Sequence, residues 1–109
     1  MLVQTEPGFP FTPIARIPLQ RGFVAFCDPK WLPVLKKVHW YAKKSRGKWY
    51  ACSKVTNYGK VSFIRMHRVV ANTPPDMIAH HLNNNSLDCR SLNLLNVTHF
   101  EHAKYFSYR

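Results

Sequence analysis

The sequence predicts an α+β fold, in which the antiparallel hairpins of an N-terminal sheet precede a strand–loop–strand–helix segment. Aromatic and β-branched residues surround turn formers between Trp40 and Val70, as they do in β-hairpins. After residue 76, two short apolar runs flank a polar loop, and a helix with a capping signal follows. With 109 residues, the chain has the length of one domain.

The first 40 residues predict an arm, two strands and a short helix. Residues 1–13 contain three prolines, and we expect them to form an extended arm. The segment 15–27 holds short apolar runs on either side of a glycine-containing turn, which predicts two strands. Asp28 is an N-cap candidate with Pro29 at the first helical position, and Pro33 limits this helix to a short one.

Two turns predict a three-stranded antiparallel sheet from about Trp40 to Val70. The turns are expected at Ser45–Lys48 and at Asn57–Gly59, each between runs of strand-forming residues. Residues 71–77 should form a loop, because two consecutive prolines neither pair in a sheet nor extend a helix.

The segment after this loop predicts the order strand, loop, strand, helix. The strands are expected at 77–82 and 92–97, and the residues between them are rich in turn formers. Thr98 and Glu101 have the spacing of a capping box, which marks the start of the helix. We expect this segment to contribute core contacts through Leu87, Leu92, Leu94, Phe100, Tyr105 and Phe106.

The charge of the chain indicates a polyanionic partner. Sixteen Lys and Arg residues against five Asp and Glu residues give a net charge of +11. The stretch from Lys36 to Lys60 contains several basic residues and no acidic residue. A solubilising surface or an anionic membrane is an alternative explanation, but interleaved aromatic residues favour nucleic acid. These aromatic residues are Trp40, Tyr41, Trp49, Tyr50 and Tyr58.

Cysteine usage and hydropathy indicate an intracellular, cytoplasmic protein without a membrane partner. Cys27, Cys52 and Cys89 form no CxxC pair, so a cysteine zinc knuckle is excluded and a disulfide framework is not expected. The N-terminal residues lack the charged and apolar regions of a signal peptide, and no apolar run reaches transmembrane length.

The stretch from His80 to Leu94, HHLNNNSLDCRSLNL, carries the most specific motif. It resembles, without a gap, the core D-H-I-N-G-N-G-L-D-N-R-x-x-N-L of the HNH endonuclease family, in particular the small phage and intron-associated nucleases. The upstream run 64–70, IRMHRVV, resembles a strand of that family. The resemblance covers about residues 17–107. The chain departs from the pattern at His80, where Asp is usual, and at Cys89, where Asn is usual.

The resemblance implies a ββα-metal (His-Me finger) nuclease core that hydrolyses DNA phosphodiester bonds. Residues 61–109 would form this core, and residues 1–60 a basic arm and a β-rich DNA-binding part, together one compact unit. By resemblance, His81 is the general base and Asn93 fixes the loop behind it. His80 and His102 take the metal-ligand positions. His80 and His81 must play different roles, because neighbouring strand residues point to opposite faces.

One divalent metal ion and no small-molecule cofactor are expected. Imidazole ligands suit Zn, Ni, Co or Mn better than Mg, which prefers carboxylate and water oxygens. The expectation is therefore a His-rich site that favours transition metals, with Mg or Mn as the alternative ion.

The partner is expected to be DNA, most simply double-stranded. The basic residues would hold its phosphates and would not read bases, because the sequence shows no base-reading helix. Binding should therefore weaken steeply with salt and show little sequence preference. His67 is either a residue beneath the site or a substrate contact, and both roles stay open. The candidate phosphate contacts are Lys43, Lys44, Arg46, Lys48, Arg65, Arg68 and Lys104.

Two other functions remain open. The chain could be a catalytically inactive or repurposed nucleic-acid-binding protein on the same scaffold, a possibility that the change at His80 favours. It could also be a nuclease or toxin directed at RNA. One active site cuts one strand per engagement, so a monomer should nick DNA unless it forms a homodimer.

Overall fold

The computed structural model describes residues 4–6 and 9–106 of the chain, with side chains described from residue 13 onward. It confirms a mixed α+β fold with antiparallel sheets. The strands described are β1 (Gln4–Glu6), β2 (Phe9–Pro18), β3 (Val24–Cys27), β4 (Tyr41–Ser45), β5 (Lys48–Asn57), β6 (Lys60–Arg65), β7 (Met77–His81) and β8 (Leu94–Thr98). The α-helices described are α1 (Leu32–Leu35), α2 (Met66–Ala71) and α3 (His99–Tyr105). The strands form the sheets β1-β2-β3, β4-β5-β6 and β7-β8.

The N-terminal segment differs in part from the expected arm. The described part of residues 1–13 lies in strands β1 and β2, which pair antiparallel with Gln4 opposite Ile14. Residues 1–3, 7 and 8 lie outside the described residues. The two strands predicted in 15–27 are confirmed, because β2 and β3 pair in regular register from Ala15 opposite Cys27.

Asp28 starts the predicted short helix but does not cap it. A single 3-10 turn, Pro29–Trp31, leads into α1, and the Asp28 side chain makes no capping hydrogen bond. Its carboxylate instead accepts hydrogen bonds from the backbone N–H and the hydroxyl of Ser91. This residue therefore ties the N-terminal half to the loop that precedes β8.

Both predicted hairpin turns of the β4-β5-β6 sheet are confirmed. Arg46 (φ 52°) and Gly47 (φ 83°) join β4 to β5, and Tyr58 (φ 52°) and Gly59 (φ 77°) join β5 to β6. Two central residues with positive φ are the mark of the type I′ turn, whose twist matches that of the paired strands.

The predicted extension of the third strand to Val70 is wrong. Strand β6 ends at Arg65, and residues Met66–Ala71 form helix α2. Met66 and Val70 are four residues apart, lie on one face of this helix and are buried. These six residues are too few for a helical repeat of apolar residues to be distinguished from the apolar run of a buried strand.

The predicted order strand, loop, strand, helix is present in β7, β8 and α3. The two strands pair in register, with His80 opposite Leu95 and His81 opposite Leu94. Thr98 and Glu101 form the capping box through reciprocal hydrogen bonds of 3.0 and 2.8 Å, so this prediction is confirmed.

The predicted core contacts of this segment are right only in part. Leu87 and Leu94 pack against the core cluster. Leu92, Phe100 and Tyr105 are exposed, because they lie on surfaces that no other described element covers. The exposed aromatic residues of α3 show that this helix buries little of its own surface.

The main apolar core joins both halves of the chain. Leu35 and Trp40 from the first half pack with Met66, Val70 and Cys89 from the second. The Trp40 indole N–H donates to the Leu35 carbonyl at 2.7 Å, which satisfies its one polar atom. All three cysteines are buried free thiols. None of the helices described here is both long and apolar enough to span a lipid bilayer.

Candidate active site

A cavity of about 550 Å³ lies between the β4–β5 hairpin, α2, β7 and α3. Its wall combines histidines with cationic side chains and a single aromatic phenol, Tyr50. The histidines are His67, His80, His81, His99 and His102, and the cationic residues are Arg46, Lys48, Arg65 and Arg68. The cavity therefore collects groups that can transfer protons and groups that can bind an anion.

His80 reaches from β7 toward α3. Its ring centroid lies 5.5 Å from that of His102, with an interplanar angle of 67°. The ring of Phe106 lies on the other side of His80, with a centroid distance of 4.3 Å. The capping box fixes the start of α3. One turn into this helix, His102 lies next to His80 at the end of β7.

His81 reaches in the opposite direction, toward α2. Its ring centroid lies 4.7 Å from that of His67 and 6.1 Å from that of Tyr50, so the rings form one cluster. His67 and His81 are both buried. Within the described part of the chain, Nδ1 of His67 and Nε2 of His81 are buried without a hydrogen-bond partner. Such atoms are costly to leave unpaired.

Burial keeps both of these imidazoles neutral at pH 7. Burial, and to a smaller extent the charges of His81, Arg65 and Arg68, lower the pKa of His67 to about 3. Burial also lowers the pKa of His81 to about 4, against the opposing effect of Asp88. A neutral imidazole has a free nitrogen lone pair, so His81 can accept a proton at pH 7. A phosphate anion in the cavity would raise this pKa and strengthen the base.

The pKa of His80 is also lowered, by burial and by the neighbouring charges of His102 and Lys48. A neutral imidazole is the form that binds a metal ion. The electrostatics of the cavity therefore favour the ligand form of His80.

Asn93 braces the loop that follows His81. This side chain is fully buried; its oxygen accepts from the Asn83 N–H at 2.9 Å, and its amide donates to the Asp88 carbonyl at 2.9 Å. The backbone N–H of Leu82 donates to the Asn93 carbonyl at 2.8 Å. Asn93, at the end of the loop, thus ties its start at Leu82 and Asn83 to its middle at Asp88, and it does not line the cavity.

A buried ion pair supports the same loop. The Asp88 carboxylate accepts from Arg90 Nε at 2.8 Å and from an Arg90 terminal nitrogen at 2.6 Å, and both side chains are fully buried. The Asn83 amide donates to the same carboxylate at 2.9 Å. Bidentate pairing of this kind fixes orientation as well as charge.

The predicted phosphate contacts divide into two groups. Arg46, Lys48, Arg65 and Arg68 line the cavity, whereas Lys43, Lys44 and Lys104 do not. Arg65 lies over the Tyr50 ring at 4.7 Å, and Arg68 donates to the Met77 and Pro74 carbonyls at 2.9 Å. The lysine outside the cavity on α3, Lys104, lies over the rings of its helix neighbours Phe100 and Tyr105.

Two cavity residues were missed by sequence reasoning. Tyr50 lies on β5, far from the motif in sequence, and only the packing of the sheet against α2 brings it to the histidines. His99, at the start of α3, is exposed and lines the cavity. The spacing of three residues from His102 was the available signal for His99, because residues three apart share a helix face.

The geometry of His80 and His102 fits one shared metal ion. Two imidazoles bound to a tetrahedral ion at about 2.0–2.1 Å place their ring centroids about 5 Å apart, close to the 5.5 Å observed. Within the described residues, no group of three or more His, Cys, Asp or Glu side chains is placed to hold a metal. An ion bound by this pair would need its further ligands from substrate oxygens or water.

Comparison with known proteins assigns no family. The chain has no significant match among protein-family models, curated proteins or solved structures.

Proposed function

We propose that the protein is a metal-dependent HNH endonuclease that hydrolyses DNA phosphodiester bonds through a ββα-metal site. One observation carries the proposal. The adjacent histidines of β7 line one cavity but contact different partners, His80 the ring of His102 and His81 the rings of the buried His67 and the partly buried Tyr50. The pair His80 and His102 can therefore hold an ion, while His81 is left as a neutral base.

Hydrolysis of a phosphodiester needs a deprotonated water, neutralised phosphate charge and a stabilised leaving oxygen. His81 is neutral at pH 7 and would take the proton of the attacking water. Asn93 would keep the loop that follows His81 in place, because it bonds to the start of that loop at Asn83 and to its middle at Asp88. When bound at His80 and His102, a divalent ion would supply Lewis-acid stabilisation of the phosphate and leaving oxygens.

The cationic wall of the cavity would position the DNA backbone. Arg46 and Lys48 lie on the β4–β5 hairpin, and Arg65 and Arg68 lie at the end of β6 and on α2. A phosphate that enters between these two groups meets positive charge on both sides. Such contacts fix register and orientation on the duplex and carry no sequence information themselves.

Nicking of supercoiled plasmid DNA tests this proposal. Purified protein, stripped of metal, is incubated with plasmid and Mg²⁺, Mn²⁺, Co²⁺, Ni²⁺ or Zn²⁺ in turn, with a chelator as the blank. We expect conversion to the open-circular form with at least one transition ion and none with chelator. Absence of nicking with every ion, by protein that binds DNA, would overturn the proposal. Competition with RNA in the same assay tests the RNA-directed alternative.

One observation favours a second candidate, a catalytically inactive nucleic-acid-binding protein. His80 and His102 are a pair, and the described residues complete no three-residue metal site. Calorimetry with Zn²⁺ or Ni²⁺ distinguishes the candidates. An inactive binding protein should bind neither ion through these histidines, so His80→Ala would leave the titration unchanged.

A further inference from the structure

The hairpin of β5 and β6 projects beyond the core. Its outer residues, 56–63, are all exposed, and Tyr58 at the tip is 99% exposed. The cross-strand pairs continue without a bulge from Cys52 opposite Arg65 to Asn57 opposite Lys60. We refer to residues 54–63 as the ribbon. A two-stranded ribbon covered on neither face contributes little to folding, so its length calls for another explanation.

The tip carries strain that folding does not require. Tyr58 adopts a left-handed backbone conformation (φ 52°), which is unfavourable for a bulky L-residue. Asn or Asp is the preferred residue at this position of a type I′ turn. Arg46 has the same backbone conformation (φ 52°) in the β4–β5 turn, so what distinguishes the ribbon tip is an aromatic side chain that is 99% exposed.

One face of the ribbon is continuous with the candidate active site. Side chains opposite each other share a face, and the face repeats at every second residue. Arg65, which lines the cavity, therefore shares its face with the pairs Lys54–Phe63 and Thr56–Val61. We call this the site-side face. On the opposite face of β5, Ser53 is buried.

The composition of the site-side face fits the major groove of DNA. Val61 and Phe63 are more than half exposed (51% and 57%), and Lys43 lies over the Phe63 ring at 4.9 Å. Exposed methyl and aromatic groups among lysines match a groove whose walls are phosphates and whose floor displays thymine methyl groups. No acidic residue occurs between Asp28 and Asp76, so nothing on the ribbon repels the backbone.

The dimensions agree as well. The major groove is about 12 Å wide and about 8.5 Å deep and admits a two-stranded ribbon. At about 3.4 Å per residue, Val61 lies about 14 Å along β6 from Arg65, which corresponds to about four base pairs.

We propose that the ribbon docks in the DNA major groove beside the candidate site and selects thymine-containing sequences through Thr56, Tyr58 and Val61. The inference rests on the proposed function for its ligand, duplex DNA. It replaces the expectation of weak sequence preference, which assumed that base reading needs a helix. A ribbon can read bases too, because its side chains reach the groove floor in the same way.

Selection from a random duplex library tests the proposal. The library is bound by protein carrying His81→Ala, so that the result does not depend on cleavage. We expect a conserved block with thymines about three to seven base pairs from the nick that the unmodified protein makes on the selected site. The triple variant Thr56→Ser, Tyr58→Asn and Val61→Ser should lose the thymine block. Ser62→Ala, on the opposite face of the ribbon, should leave it unchanged.

Replacement of thymine by deoxyuridine gives a second readout, because it removes only the methyl group. Affinity for the selected duplex should fall about fourfold for each methyl in contact, and less than twofold in the triple variant. Asn is the preferred residue in this turn, so Tyr58→Asn should fold at least as stably as the unmodified protein.

The two proposals fail in different ways. Nicking by the unmodified protein together with a selection that shows no thymine block, or one that the triple variant keeps, would overturn the ribbon proposal alone. A thymine block that depends on the ribbon, in a protein that never nicks, would support the ribbon and overturn the nuclease. In a competition assay, tighter binding of RNA or single-stranded DNA than of the selected duplex would contradict the major-groove assignment.

Discussion

Two neighbouring histidines on β7 reach different partners because a strand alternates its side chains. His80 meets His102 on α3, and His81 meets His67 on α2. The sequence motif placed these residues at the site, and alternation already required different roles for them. The sequence did not predict that His81 would contact His67, because His67 was expected on a strand and lies on helix α2.

If the proposed function is right, changing His80 to Asp should shift the metal preference of the nicking reaction. A carboxylate oxygen suits Mg²⁺, whereas imidazole suits Ni²⁺, Co²⁺ and Zn²⁺. We expect the ratio of nicking rates in Mg²⁺ and in Ni²⁺ to rise at least about tenfold in His80→Asp. His39 is exposed and outside the cavity, so His39→Asp serves as the matched control. An unchanged ratio in His80→Asp would show that this residue does not contact the metal.

At the scale of elements, a buried ion pair supports the loop between β7 and β8. The fully buried pair Asp88 and Arg90 holds it. Asp88→Asn leaves a buried guanidinium without its counter-charge, and we expect a loss of about 3–5 kcal/mol in the free energy of unfolding. Urea denaturation, followed by tryptophan fluorescence, measures this loss. Asp76→Asn at an exposed position is the control, and a loss below about 1 kcal/mol in Asp88→Asn would contradict the account.

Local signals predicted some elements and not others. The Gly-containing turns and the capping box depend on a few neighbouring residues, so the sequence alone located the hairpins and the start of α3. Helix α2 was missed because six residues give too little periodicity, and its helical form depends on burial of Met66 and Val70. Tyr50 enters the site only through packing between distant elements. Sequence reading cannot supply that contact.

At the scale of the whole molecule, the proposed binding of DNA should depend mainly on charge. If four to six of the cationic residues at the site and on the β4–β5 hairpin contact phosphates, the affinity should fall about 10²–10³-fold between 50 and 200 mM salt. Fluorescence anisotropy with a labelled duplex and the His81→Ala protein measures this dependence. Arg46→Gln should reduce the slope of log K against log salt by about one. A salt-independent affinity would contradict the role of the basic surface.

The buried histidines should make the metal-free protein sensitive to acid. The pKa of His67 is lowered from 6.5 to about 3 in the folded protein, so the unfolded chain binds more protons between these values. The contribution of the buried, neutral His67 to the free energy of unfolding is complete above about pH 6.5 and is lost progressively as the pH falls toward 3. Between pH 7.5 and 4.5 we expect His67 alone to cost on the order of 2 kcal/mol in the free energy of unfolding.

Urea denaturation at pH 7.5 and 4.5, on the unmodified protein and on His67→Phe, isolates this contribution. The phenylalanine keeps an aromatic ring and cannot take up a proton, so the variant should lose less stability on acidification. His39→Phe, at an exposed histidine, is the control. An equal loss in His67→Phe and in the unmodified protein would show that His67 is not buried in its neutral form.

The central claim is that His81 is the general base of a phosphodiester hydrolase. The nicking rate of His81→Ala, measured beside His39→Ala with the best metal, tests it most directly. We predict a loss of at least about 10²-fold for His81→Ala, with Zn²⁺ or Ni²⁺ binding retained, and no change for His39→Ala. Nicking by His81→Ala at the rate of the unmodified protein would contradict the claim.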